Sequence, residues 1–139
     1  MVISDVTMEE DAMTTTLTMA NVEQMIRDND MLVIDFWAPW CGPCRAFKPI
    51  FEAAAARHTD VTFAACNTEE EQELAGAFGI RSIPTLMIFR QGVLVFSQPG
   101  MLPAPVLDDL IGKVRALDMD AVRAQIAEAE QARPRAAAV

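Results

Sequence analysis

The spacing of apolar positions changes several times along the chain, and each change marks an element. MLVIDFW (31–37) is continuously apolar except for Asp35, the pattern of a central strand buried on both faces. Behind Cys41 the period becomes helical: CRAFKPIFEAAAARH sets Phe47, Ile50, Phe51 and Ala54 on one side, with Pro49 inside as a kink. DVTFAAC (60–66) reads as a second strand, and EEEQELAGAF (69–78) as an acid-started helix that ends at Gly79. PTLMIF (84–89), the turn 90–92 and VLVFS (93–97) form a hairpin, and residues 103–117 a packed helix. Ahead of these, TTTLTM (14–19) is a short β-branched strand, and NVEQMIRDN (21–29) a helix capped by Asn21.

The order is β-α-β-α-β-α-β-β-α. Alternating units give parallel strands with right-handed crossovers, and the hairpin adds antiparallel ones. The fold class is therefore α/β: one central mixed sheet of about five strands with helices on both faces. Residues 1–13 form an acidic leader, 14–117 one domain, and 118–139 an Ala- and charge-rich extension, part helical, with Met119, Val122, Ile126 and Ala129 on one side. No internal repeat is visible.

Composition narrows the function. A chain of 139 residues with 52% hydrophobic content can bury a core without disulfide or metal support. A net charge of −9 without a basic stripe speaks against nucleic acid and anionic membranes as partners. No apolar run approaches the roughly 20 residues of a membrane span. The acidic start has the wrong polarity for a secretory signal, so the expected location is cytoplasmic.

Three cysteines remain: Cys41, Cys44 and Cys66. A zinc site needs about four ligands, and one CxxC, one further Cys and His58 match no zinc spacing, so no metal is expected. His58 is read as an exposed residue at a helix end. A redox pair fits CGPC better. In a first helical turn, residues i and i+3 have α-carbons about 5 Å apart, close enough for a disulfide. Gly42 permits the turn from strand to helix, and Pro43 loses no intrahelical hydrogen bond there. Free N–H groups at the helix start stabilise a thiolate on Cys41, making it the attacking sulfur. Cys44, one turn in, is the more buried, resolving one. Cys66 is a small hydrophobe in its strand.

DFWAPWCGPCR, followed by PIFE, GIRSIPT and MIF with Gly92, resembles the thioredoxin family over residues 14–117. The wording is most similar to the second thioredoxin type of proteobacteria, but the N-terminal zinc segment of that type, with two more CxxC pairs, is not in the sequence. The resemblance implies a thioredoxin fold and a protein-disulfide reductase. It binds no cofactor and takes electrons from NADPH through a flavoprotein thioredoxin reductase. Its clients are disulfide-containing proteins, and it acts as a monomer. Pro84 falls on the family's cis-proline. Trp40, Gly42, Ile83, Pro84, Gly100 and Met101 would line a flat apolar docking surface, and Trp37 a core position below it. Asp35 matches a buried aspartate that serves the resolving thiol. Burial by itself should raise its pKa, and a raised carboxylate can take the Cys44 proton through a water. Ala65 stands where relatives carry a lysine near that aspartate, so the usual cation is missing. The alternatives are a thiol oxidase or isomerase, whose relatives usually carry His between the cysteines, and a binding subunit whose redox activity is incidental.

Overall fold

The structure, a computed structural model, describes residues 13–133, so the leader up to Ala12 and residues 134–139 lie outside the described residues. The strands are β1 (Thr15–Thr16), β2 (Met31–Trp37), β3 (Thr62–Asn67), β4 (Thr85–Arg90) and β5 (Val93–Pro99), in the sheet order β1-β3-β2-β4-β5. β3 pairs parallel with β1 and β2, while β4 pairs antiparallel with β2 and β5. The helices are α1 (Val22–Asp28), α2 (Gly42–Arg57), α3 (Gln72–Ala77), α4 (Ala104–Arg115) and α5 (Met119–Gln131).

Strand alternation decides what meets Asp35. Met31 and Val33 of β2, Phe63 of β3 and Leu86 and Ile88 of β4 face one way, against Phe47 and Phe51 of α2 and Leu107 and Ile111 of α4. Leu32, Ile34 and Phe36, with Ala64, Cys66, Met87 and Phe89, face the other way, against Val22 of α1 and Leu74 of α3. Both faces of β2 are thus covered, as its unbroken apolar run requires. Asp35 continues the Met31–Val33 row, so its carboxylate enters the layer under α2. In register, Asp35 lies beside Ala65 on β3 and Leu86 on β4.

Several elements depart from expectation. β1 spans only two residues, because Thr14 to Met19 leaves the sheet edge after two pairs with β3. Asn21 does not cap α1: its Oδ1 accepts from Thr18 N at 2.8 Å and its Nδ2 donates to Thr16 O at 2.9 Å, which pins the β1–α1 connection instead. α3 begins at Gln72, since Glu69 and Glu70 are drawn into a turn by Asn67 Oδ1, which accepts both their N–H groups. His58 is not an exposed helix-end residue. Its ring is largely covered and bonds Asp108 Oδ1 at 2.8 Å through Nε2 and Arg115 Nη2 at 3.1 Å through Nδ1, tying α2 to α4.

The segment after Leu117 is ordered through α5. Asp118 Oδ1 accepts from the N–H groups of Asp120 and Ala121, a side-chain cap that starts the helix. Met119 is buried, and Val122 and Ile126 face Val93 and Val95 of β5 across a small cleft. No helix among the described residues is long and apolar enough to cross a membrane.

Candidate active site

β2 delivers the chain to the carboxyl end of the sheet, where Ala38 to Trp40 turn it into α2. Cys41 is the N-cap of that helix, and its Sγ accepts from the Cys44 N–H at 3.2 Å. The two cysteines are joined by a disulfide, with α-carbons 5.2 Å apart. Cys41 is 5% exposed and Cys44 2%, so both residues of the oxidised pair are buried. The N-cap placement singles out Cys41: a thiolate there faces a backbone N–H and the positive end of a 16-residue helix.

Gly42 is not needed for the turn, contrary to the reading above. A Cβ on it would meet nothing within 4 Å, and no left-handed φ is required. What glycine adds beside Cys41 is room for another chain to approach.

The other surface residues distribute around this point. Trp40 precedes Cys41 and is 64% exposed, and its indole N–H donates to Glu69 Oε2 in the turn after β3. The Ile83–Pro84 peptide is cis, and the Ile83 carbonyl oxygen lies 3.8 Å from Cys41 Sγ. Gly100, at φ 98°, donates its N–H to the Pro84 carbonyl at 2.8 Å, which places Met101, also exposed, at the same edge. Ile83, Pro84, Gly100 and Met101 are therefore brought to one side of Cys41, and Trp40 is anchored towards β3. Trp37 is half-buried and packs under Ala38, Cys41 and Cys44.

Asp35 lies behind the disulfide. It is 3% exposed, and its Oδ1 has no hydrogen-bond partner among the described residues. Burial pushes its carboxyl up to about 7, and the Lys48 ammonium pulls the other way. A pocket of about 650 Å³ joins Asp35 to Cys44, with Thr14, Trp37, Phe51 and Ala65 among its walls. The missing cation at position 65 is thus partly replaced from α2. Sequence reasoning passed over Lys48, although it lies four residues after Cys44 and so on the same helical face. It also passed over Thr14 and Glu69, for which no local signal exists. Cys66 faces the opposite layer, where burial first and then the Glu71 carboxylate push its thiol up to about 12.

The thioredoxin family model matches residues 13–113. A putative thioredoxin 2 of Streptomyces coelicolor is 54% identical over 115 residues, covering 83% of this chain and 86% of its own. The thioredoxin of Alicyclobacillus acidocaldarius is 43% identical over 102 residues, covering 73% and 97%. Among solved structures, an N21Q mutant thioredoxin from Halobacterium salinarum superposes with a TM-score of 0.69 at 34% identity, over 75% of this chain and 92% of that one. The oxidised mitochondrial thioredoxin 3 of Saccharomyces cerevisiae does so with 0.68 at 30% identity, over 75% and 98%.

Proposed function

The chain belongs to the thioredoxin family and is a protein-disulfide oxidoreductase, and from that premise we propose that it works in the reducing direction, with Cys41 attacking and Cys44 resolving. The observation that carries this reading is Cys41 Sγ at the N-cap of α2, 3.2 Å from the Cys44 N–H. In the reduced protein the Cys41 thiolate attacks one sulfur of a client disulfide. A mixed disulfide forms, and the other client sulfur leaves as a thiolate. Cys44 then loses its proton and attacks Cys41 Sγ; the Cys41–Cys44 disulfide forms and the second client sulfur departs. Two electrons have moved to the client. Asp35, near neutral pH in its titration and sharing a pocket with Cys44, accepts the Cys44 proton.

The docking surface in this reading is Trp40, Gly42, Ile83, Pro84, Gly100 and Met101. An extended client segment lies along the Ile83 backbone beside Cys41, as an added strand would. Electrons return from NADPH through a flavoprotein thioredoxin reductase, the setting is the cytoplasm, and the working unit is a monomer. The catalytic domain spans 14–117, with 118–139 as an accessory.

Insulin reduction coupled to NADPH and a thioredoxin reductase tests this, together with two variants. Cys44→Ser should accumulate mixed disulfides with client proteins, and Cys41→Ser almost none. Equal trapping by both would sink the assignment of roles. Absence of turnover, with client binding that ignores the redox state, would make the protein a binding subunit.

A further inference from the structure

The edge of the sheet beside Cys41 carries an apolar side chain that the core does not take up. Pro99 pairs with Thr85 in the sheet, and the Gly100 N–H donates to the Pro84 carbonyl at 2.8 Å. Gly100 stands at φ 98°, a left-handed conformation that fixes the direction in which the chain enters Met101. Leu102, one residue on, packs against the core layer of α2 and α4, whereas Met101 stays 39% exposed. The Ile83 carbonyl, 3.8 Å from Cys41 Sγ, precedes the Pro84 carbonyl that Gly100 holds, so Met101 is tied to the rim of the reacting sulfur. The chain has nine methionines. Met31, Met87 and Met119 are buried, and Met25 packs partly buried against the layer of Leu32 and Ile34. Met13 and Met19 are exposed like Met101, but they flank β1, at the opposite edge of the sheet from β5. Among the described residues, only Met101 combines an exposed thioether with a place beside Cys41.

We propose that Met101 is a modification site, at which a peroxide oxidises the thioether to the sulfoxide and thereby weakens client docking. The sulfur gives two electrons to the peroxide. The O–O bond breaks, one oxygen bonds to the sulfur, and the other leaves as water. The product exchanges a flexible, apolar side chain for a polar, chiral one. A client that covers Met101 must then strip water from the sulfoxide oxygen without offering it a partner, and docking carries that cost. Cys41 and Cys44 are joined as a disulfide and Cys66 is buried, so in the oxidised protein no exposed thiol competes for the peroxide. The sulfoxide therefore builds up on the oxidised chain and holds it back from clients until a methionine sulfoxide reductase removes the oxygen. The inference rests on the reductase reading, which supplies the docking surface.

The experiment treats the oxidised full chain with a limited dose of hydrogen peroxide and maps sulfoxides by peptide mass spectrometry. Met101 should be oxidised together with Met13 and Met19, and ahead of the buried Met31, Met87 and Met119. Treated and untreated chains are then reduced with dithiothreitol, desalted and mixed with insulin in the absence of thioredoxin reductase, so that only the client step is timed. The treated wild type should react about fivefold more slowly, and methionine sulfoxide reductases should restore its rate. Met101→Leu should stay within about twofold of its own untreated rate after peroxide, because no thioether remains at the edge. The paired Met13→Leu and Met19→Leu variant should lose activity as the wild type does. Met101→Gln, which places a polar group there without any oxidant, should be slow before treatment and carries the test should Met101→Leu not fold. The proposal is overturned if Met101 is spared, if the treated wild type keeps its rate, if Met101→Leu loses as much, or if Met101→Gln is as fast as the untreated wild type. An untreated chain that leaves insulin intact defeats the reductase reading and this inference together, whereas an active chain indifferent to peroxide defeats this inference alone.

Discussion

Replacing Asp35 by Asn should change how stability depends on pH, in a window fixed by burial. The carboxyl sits near 7 in the folded chain against 3.8 in its absence, mainly because burial disfavours the charge. A folded-state pKa that is raised means the native protein holds a proton that the unfolded chain has released. Stability therefore falls as pH rises from about 4 to about 7 and is level on either side. A difference of about three pH units corresponds to about 4 kcal/mol over the whole window. Between pH 5 and pH 8 the wild type should lose about 2.5 kcal/mol that Asp35→Asn keeps, because at pH 5 part of the window has already been crossed.

Other groups titrate elsewhere. Asp108 is held low chiefly by His58 and then Arg57, and Asp60 chiefly by Arg115. Their contributions are lost as pH falls below the ordinary carboxylate range, and they are common to both proteins. The constant offset between the two proteins is the cost of the unpaired amide, about 1–3 kcal/mol, and does not vary with pH. Urea unfolding of the oxidised proteins at several pH values measures the difference directly. A gap between variant and wild type that stays constant within about 0.5 kcal/mol from pH 5 to pH 8 would refute the reasoning, because the buried carboxyl would then titrate as an exposed one.

Ala65→Lys places an ammonium beside Asp35 in the sheet register, so it should lower the Asp35 pKa by about one to two pH units, read from the carboxyl carbon by NMR; an unchanged value would mean Lys48 already supplies all the attraction the site can use. Removing residues 118–139 should leave insulin reduction nearly unchanged, since α5 lies against β5, while urea unfolding should show a loss of about 2–3 kcal/mol from losing the buried Met119 side chain; loss of most activity would contradict this.

What could be read from the sequence is what burial periodicity and short spacing encode. The run from Met31 to Trp37 had to be a central strand, and the i, i+3 spacing of Cys41 and Cys44 at a helix start had to permit a disulfide. The strain-free placement of Gly42, the tie from Asn21 to Thr16 and the early turn at Glu69 were not legible. Each depends on which donor or acceptor a neighbouring loop presents, and that is settled by tertiary contacts. β1 shrank for the same reason: its β-branched threonines suit a strand, but only two of them reach β3.

Asp35 shows both sides of this division within one residue. Its interruption of an apolar run announced a buried acid, and burial dominates its titration. The sequence also suggested that Ala65 leaves the acid without a cation, and here a linear reading falls short. The field at a buried group is summed over every element that packs on it, and α2 returns a cation through Lys48. An exposed ammonium on a flexible stem is a weaker partner than one in the adjoining strand, so burial prevails and the carboxyl stays near neutrality. The same small residue at 65 leaves space beside the carboxylate, bounded by Thr14 to Thr16 on one side and α2 on the other. One methyl group in place of a long side chain thus leaves burial as the dominant influence on an acid that stays covered and exchanges its proton near pH 7.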